Sequence, residues 1–295
     1  MYFFKLKNFI KNNIDKIDWE NLSLNPNAIY LLEQNFDNIH WYYLSLNPNA
    51  IYLLEKNKDK INWGNLSSNP NAIHLLEKNF DKINWYSLSK NPNAIHLLEL
   101  NPKRIQWKYL SLNPNAIHLL EQNLEKIDWE NLSKNPNAIH LLEKNLDKVN
   151  WKGLSRNPNA IHLLEQNINM IHWYSLSKNP NAIHLLKENF DKIDWYNLSI
   201  NPNSIHLLEK KLDNICIWFN LSINPNAMHL LEKDIDMIDW IDISVNPSIF
   251  EIDYDALKDR CFIYKEELIQ IALHPSRIQK LLDLGIKIGD FDNYI

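Results

Sequence analysis

Glycine is nearly missing from this chain, with only 4 in 295 residues. That scarcity excludes a Gly-rich phosphate loop of the Rossmann or P-loop kind, which needs several glycines at fixed spacing. Cysteine is scarcer still: Cys216 and Cys261 stand alone and far apart, which leaves neither a disulfide framework nor a zinc cluster. No apolar run approaches the roughly 18 residues that a membrane span needs. Near the start, Tyr2, Phe3 and Phe4 are apolar, but Lys5, Lys7 and Lys11 interrupt any signal-peptide stretch. An intracellular protein, not a secreted one, is expected. Nor does either charge dominate. The net charge of -5 comes from 31 Lys and Arg against 36 Asp and Glu, with no clustered basic face to attract nucleic acid or an anionic membrane. Hydrophobic residues at 45% are ample for a continuous core.

What the chain has instead is metre. Its eleven tryptophans, Trp19, Trp41, Trp63, Trp85, Trp107, Trp129, Trp151, Trp173, Trp195, Trp218 and Trp240, recur every 22 residues, with one step of 23. Self-similarity at a fixed short period marks an array or solenoid. Units this small cannot bury their own apolar face and must stack on neighbours. The expected fold is all-α: an α-solenoid of about eleven two-helix repeats over residues 19–247, with the tryptophans in its core. Residues 1–18 read as an N-terminal half-repeat cap, and 248–295 as a C-terminal non-repeat helical region.

One unit runs from Asn84 to Glu99 and its second half is the clearer. Asn91-Pro92 reads as a helix start, because Asn caps exposed amides and Pro at the first position loses no needed donor. Ala94, Ile95, Leu97 and Leu98 then share one side, while Asn93, His96 and Glu99 point away. The helix is expected to stop near the Asn that follows (Asn35, Asn57, Asn79, Asn123), a residue that tolerates a left-handed cap. The first half is a shorter helix. Asp18, Asn62, Asn84, Asp128, Asn150, Asp194 and Asp239 stand before the Trp at a capping position, and the Leu three residues after the Trp shares its face. A Ser follows that Leu in every unit. Linker residues such as Phe36, Phe80, Leu124, Leu146 and Phe190, together with the Ile or Val two before the Trp, are expected to seal the seam, and an adjacent-unit carbonyl to accept each indole N–H. Helices packed about 8–10 Å apart predict a rod or superhelix roughly 100 Å long. A leucine-rich-repeat horseshoe has a similar period, but Leu88-Ser89-Lys90-Asn91-Pro92 breaks its strand alternation.

Residues Leu6 to Asp18 read as half a unit, with Phe9 and Ile10 in place of the Leu pair. At Cys216-Ile217-Trp218 an extra residue enters and the polar cap becomes Ile217. Beyond Pro247 the metre ends. A helix is expected over Tyr254–Arg260, a second over Ile263–Leu273, and a third capped by Ser276 and closed by Gly285.

Tandem Asn-Pro-Asn-Ala-Ile-His-Leu-Leu-Glu units with a Trp every 22 residues, followed by Glu266-Glu267-Leu268 and His274-Pro275-Ser276-Arg277-Ile278, resemble repeat proteins encoded in large numbers by giant double-stranded DNA viruses (nucleocytoplasmic large DNA viruses). The resemblance covers essentially the whole chain. It implies a viral origin, in host cytoplasm or virion, within an expanded family without an assigned function, and it carries over no catalytic residue.

The repeated histidines (His74, His96, His118, His140, His162, His184, His206, His229) sit too far apart along a stack to share one zinc ion. They read as an amphipathic surface column. The Glu column, broken at Lys187, offers copies of one carboxylate rather than the two environments that acid–base chemistry needs. No catalytic residue, metal site or cofactor is expected, and the chain reads as non-enzymatic. Variable positions are more informative. Tyr42, Tyr43, Tyr86, Lys108, Tyr109, Tyr174, Tyr196 and Phe219, just after each Trp, form the candidate protein-binding surface. The residue before each Asn-Pro (Leu24, Leu46, Ser68, Lys90, Leu112, Lys134, Arg156, Lys178) varies too, and the variable columns together are expected to make one extended exposed surface. The expected function is a repeat scaffold binding a host or viral protein, with neither nucleic acid nor membrane as partner. Two alternatives stay open: a structural component of the virion or viral factory, and an adaptor whose C-terminal helices recruit host ubiquitin machinery.

Overall fold

The structure, a computed structural model, describes residues 4–211 and 215–285. The repeats are helical throughout, as the metre predicts, and none contains a strand. From the unit of Trp19 to that of Trp195 each has a first helix of one to two turns starting at the Trp (Trp19–Leu22, Trp41–Leu44), an Asn-Pro-Asn turn, and a second helix starting at Ile (Ile29–Gln34, Ile51–Lys56). In all but the unit at Trp195, whose linker is only partly described, a one-turn 3-10 segment (Phe36–Asn38, Lys58–Lys60) then leads on. All seven Asp and Asn residues before the Trp cap the first helix by accepting an amide hydrogen bond. His172 does the same through its ring nitrogen.

The Asn-Pro pair works differently from expectation. The second helix begins at Ile95, three residues after Pro92. Asn91 Oδ1 accepts from the Asn93 amide at 3.0 Å, closing a turn ahead of the helix. Its Nδ2 reaches the preceding unit and donates to the carbonyls of Ser67 and Asn69 at 3.1 and 2.9 Å. The pattern repeats around the fold as a buried ladder of amides. The Asn that ends the second helix is not left-handed (Asn35 φ -127, ψ 52). Its side chain instead donates back to the Leu31 carbonyl at 2.8 Å and satisfies the helix end.

The recurrent Ser is a second staple between units. Ser23 Oγ donates to the Trp19 carbonyl and accepts the His40 amide from the next unit, at 2.9 and 3.0 Å. Between these polar rails lies the apolar core of Leu, Ala and Leu pairs; Leu88, Ala94 and Leu98 are fully buried. The tryptophans are seam residues rather than core: ten of the eleven are half-buried, and only Trp218 is buried. Seven of the indoles are covered from the next unit by a cation, as with Lys82 over Trp63 at 4.6 Å and Lys148 over Trp129 at 4.8 Å. Trp41, Trp85 and Trp195 also meet a Phe edge from the linker before them, as with Phe80 on Trp85 at 5.5 Å. Of the two expected seam sealers, the linker aromatics stay about half exposed, whereas the Ile two before the Trp, as at Ile61 and Ile83, is buried.

The solenoid does not run on as a rod; over residues Leu6–Phe250 it closes into a ring. Asn25 in the first unit donates to the carbonyls of Ser244 and Asn246 in the last, at 3.1 and 2.9 Å. Ser244 Oγ accepts the Asp18 amide at 3.0 Å, and Lys16 covers Trp240 at 5.3 Å. The ladder bonds are those that every sequential pair of units makes, and the staple and the covering cation recur at most other seams. The half-repeat at the N-terminus is therefore no cap. Its helix Asn8–Lys11 and 3-10 turn Ile14–Lys16 supply the second half of the eleventh unit, whose first half is Trp240–Ile249. The Lys7 amide donates to the Ile249 carbonyl at 2.9 Å where the two halves meet. Eleven units in one circle turn by about 33° each, the small per-repeat rotation that sets a solenoid's curvature.

First helices of neighbouring units pack directly on one another at the closure and at three other seams, closer than any neighbouring second helices among the described residues. In a ring the step between units widens away from the axis, so the first helices line the inner circumference and the second helices the outer. The extra residue before Trp218 is absorbed by starting the helix early, at Ile215; Asn224 keeps its ladder bonds to Ser199 and Asn201 at 2.8 and 2.9 Å.

Strands Phe4–Leu6 and Phe250–Ile252 pair in a two-stranded sheet. Residues 4–5 and 251–285 belong to a second compact unit. Its helices are Tyr254–Ile263, Lys265–Ala272 and Pro275–Asp283. The last is capped by His274, not Ser276, and closed by Gly285 at φ 80.

Candidate interaction face

The two positions after each Trp have different fates. The first is exposed: Tyr42, Tyr86, Tyr174 and Tyr196 keep about half their surface, and Lys108 is exposed with them. The second packs against the preceding unit. Asn65 donates to the Tyr42 carbonyl at 2.8 Å, and Asn131 to that of Lys108 at 3.0 Å. A Cβ on Gly153 would come within 3.2 Å of Ser133 and Lys134, so glycine there lets two first helices approach closely. Tyr43 and Tyr109 belong to this seam. The Tyr43 hydroxyl bonds Glu20, whose negative charge raises the phenol above its usual range, with lost solvation adding to the effect. Tyr109 meets Tyr86 edge-on at 5.7 Å. The side chain of Phe219 lies outside the described residues. Of these positions Tyr42, Tyr86, Lys108, Tyr174 and Tyr196 are exposed, whereas Tyr43 and Tyr109 are half-buried at the seam between units.

The exposed stripe gains a second row from the position before Asn-Pro. It lies four residues further on and therefore on the same face of the first helix, opposite the buried Leu. Lys134 reaches back to Glu130 at 3.3 Å, and Lys178 lies over Tyr174 at 5.9 Å. Because the first helices line the inner circumference, this two-row stripe faces the ring's axis. Both rows belong to the one extended surface expected from the sequence; their four-residue spacing on the first helix is what places them on one face.

On the second helices, histidine and glutamate pair between units: His96 Nε2 to Glu77 at 2.8 Å, His162 to Glu143 at 2.6 Å, and likewise in five other pairs. The series is interrupted at His206, where Lys187 replaces the carboxylate. These exposed pairs are near-copies of one another and hold neighbours together at the outer rim. No group of three or more His, Cys, Asp or Glu able to hold a metal ion occurs among the described residues. An open hollow of about 460 Å³ sits beside the closure, bordered by Lys7, His229, Glu232 and Phe250. Among the described residues, no helix is long and apolar enough to cross a membrane.

No family model matches this chain, and neither a curated protein nor a solved structure does.

Proposed function

We propose that this protein is a non-enzymatic interaction scaffold of viral origin, a closed ring of repeats that holds a host or viral protein against its inner stripe. One observation carries the reading. Ladder Asn and staple Ser hold their places around the ring, and the buried Leu columns change only to Ile243, Phe9 and Ile10, while the stripe changes from Tyr to Lys, Glu, Gly and Ile. A scaffold that fixes its frame and varies one exposed surface has the design of a recognition module. Exposed tyrosines add rigid anchors of the kind that dominate binding energy. Closure counts against a role in which the repeat merely builds length, since both ends of the array are already paired.

A second reading rests on the C-terminal unit, where Tyr254, Phe262 and Leu284 keep 72%, 72% and 70% of their surface. Large exposed apolar side chains mark docking sites, and favour an adaptor in which these helices recruit a further protein. The test is affinity purification from infected cells with three chains: wild type, Y42S/Y86S/Y174S/Y196S, and a truncation before Asp253. Loss of a stoichiometric partner in the tyrosine variant, with an unchanged melting curve, supports the stripe. Loss only on truncation moves the interface to the tail.

A further inference from the structure

Around the ring the stripe divides into two arcs of different chemistry. From the unit of Trp85 to that of Trp173 its two rows hold six cations, Lys90, Lys108, Lys134, Lys152, Arg156 and Lys178, against the single carboxylate of Glu130. This concentration stands out in a chain whose net charge is -5. Glu130 is taken by Lys134. Among the described residues Lys90, Lys108, Lys152 and Arg156 have no carboxylate partner, and all four are exposed. Like charges gathered on a concave wall and left unpaired create a field that favours an anionic partner.

The opposite arc is mainly aliphatic. Ile200, Ile223, Ile241, Val245, Leu24 and Leu46 hold six of the ten places in the same two rows from the unit of Trp195, through the closure, to that of Trp41; the one carboxylate there, Glu20, is engaged by the Tyr43 hydroxyl. Ile241 keeps 58% of its surface, and the other five are half-buried. Tyr42 and Tyr196 lie among them. These residues make one surface only because the first unit packs on the last. Exposed aliphatic side chains facing a shared axis form a patch of the kind that marks an interaction site.

Eleven first helices about 8–10 Å apart close on a circle roughly 30 Å across. Allowing for their side chains, with a helix about 10–12 Å thick, an opening on the order of 20 Å remains. A single α-helix fits such an opening. We infer that the occupant is an acidic amphipathic helix of a partner protein, its carboxylate face against the Lys/Arg arc and its apolar face against the Ile/Leu arc. The inference rests on the scaffold reading above and names the partner's chemistry. A nucleic acid strand would satisfy the cationic arc but leave the aliphatic arc facing phosphates.

The test uses the full chain and a fluorescein-labelled peptide about five turns long, with Glu on one helical face and Leu on the other. Controls are a Lys/Leu peptide, a scrambled Glu/Leu peptide, and an oligothymidylate of similar length. Fluorescence anisotropy should show that the Glu/Leu helix binds best and weakens as salt rises. K90E/K108E/K152E/R156E, checked for an unchanged melting curve, should weaken it at least about tenfold and come to prefer the Lys/Leu peptide. Equal binding of the Lys/Leu or scrambled peptide would overturn the inference, as would tighter binding of the oligothymidylate. If the peptide fails while a cellular partner is still lost in the tyrosine variant, only this inference falls; if the tyrosine variant also keeps its partner, the scaffold reading falls with it.

Discussion

The Asn25 side-chain amide donates to the carbonyl of Asn246, 221 positions further along the chain, at 2.9 Å. Asn47 makes the same bond to Asn25, 22 positions back and at the same distance. The last rung of the ladder is therefore equivalent to all the others, and a repeat array with no free end results.

Ladder asparagines carry more stability than turn formers should. Asn113 is fully buried; it donates to the Ser89 and Asn91 carbonyls and accepts from the Asn115 amide. N113A would leave buried backbone groups without partners, at about 1–3 kcal/mol each. N113D should be at least as harmful, because it sets an acceptor against two carbonyl oxygens. Urea denaturation of both variants checks this; a loss below about 0.5 kcal/mol would show that the ladder is ornamental.

The N-terminal half-repeat should protect residues far away in sequence. Ile10 is fully buried within the composite eleventh unit. I10A, at a cost of about 2–5 kcal/mol, should speed amide hydrogen exchange over residues 240–249 as well as over its own helix. Faster exchange confined to residues 6–22 would indicate an ordinary terminal cap.

Trp129 and Lys148 should be energetically coupled across their seam. Trp129 is half-buried, so W129A should cost less than the roughly 3–5 kcal/mol of a core tryptophan. A double-mutant cycle with K148A should return a coupling of about 0.5–1 kcal/mol. Additive effects would leave the 4.8 Å stacking without energetic content.

Asp242 stands where several other units have Asn, and burial, aided by the nearby Asp239 charge, raises its carboxyl above the usual range. The folded state then holds its proton more tightly than the unfolded one. Its contribution is most favourable below the unfolded value near 3.9 and is lost as pH rises through the folded value. D242N should raise the melting temperature at pH 7 by roughly 2–4 °C, and by less at pH 4. An equal shift at both pH values would rule out the ionisation cause.

The two-helix unit, its capping residues and the variable surface were legible because each follows from local periodicity or a single residue's hydrogen-bonding capacity. The role of the Asn-Pro asparagine was legible only in part. Position 18 and its equivalents accept Asp, Asn, His, Gln and Ile, whereas position 25 and its equivalents are Asn in all eleven units. A cap tolerates substitutes; a group that must both donate and accept does not. That contrast could have revealed the ladder. Closure was not legible, because it accumulates from a small rotation per unit, set by the difference between inner and outer packing. Phe9, Ile10 and Ile17 accordingly read as a cap when they complete the last unit. The tryptophans read as core because indole is large and apolar, but most lie half-buried at the seam, and for seven of them a Lys or Arg from the next unit covers the open face.

Excising one whole unit, Trp107 to Asp128, separates a ring from an open array. An open array should simply shorten. A ring of ten must raise its rotation to about 36° per unit or part at its closure. Exchange over residues 18–27 and 240–249 should rise in the excised chain; unchanged protection there would mean that the seam carries no closure strain.

The most direct measurement of closure is the distance between spin labels at exposed stripe positions, in a C216S/C261S background. One chain carries labels at Glu20 and Ile241, in the first and last units; another carries them at Glu20 and Glu130, in the first and sixth. A closed ring places the first pair on adjacent helices, about 8–10 Å between axes, so their signals should show strong dipolar broadening and the shorter distance. The second pair, across the ring, should lie roughly 30 Å apart between axes. A 20/241 distance longer than the 20/130 distance would contradict the ring.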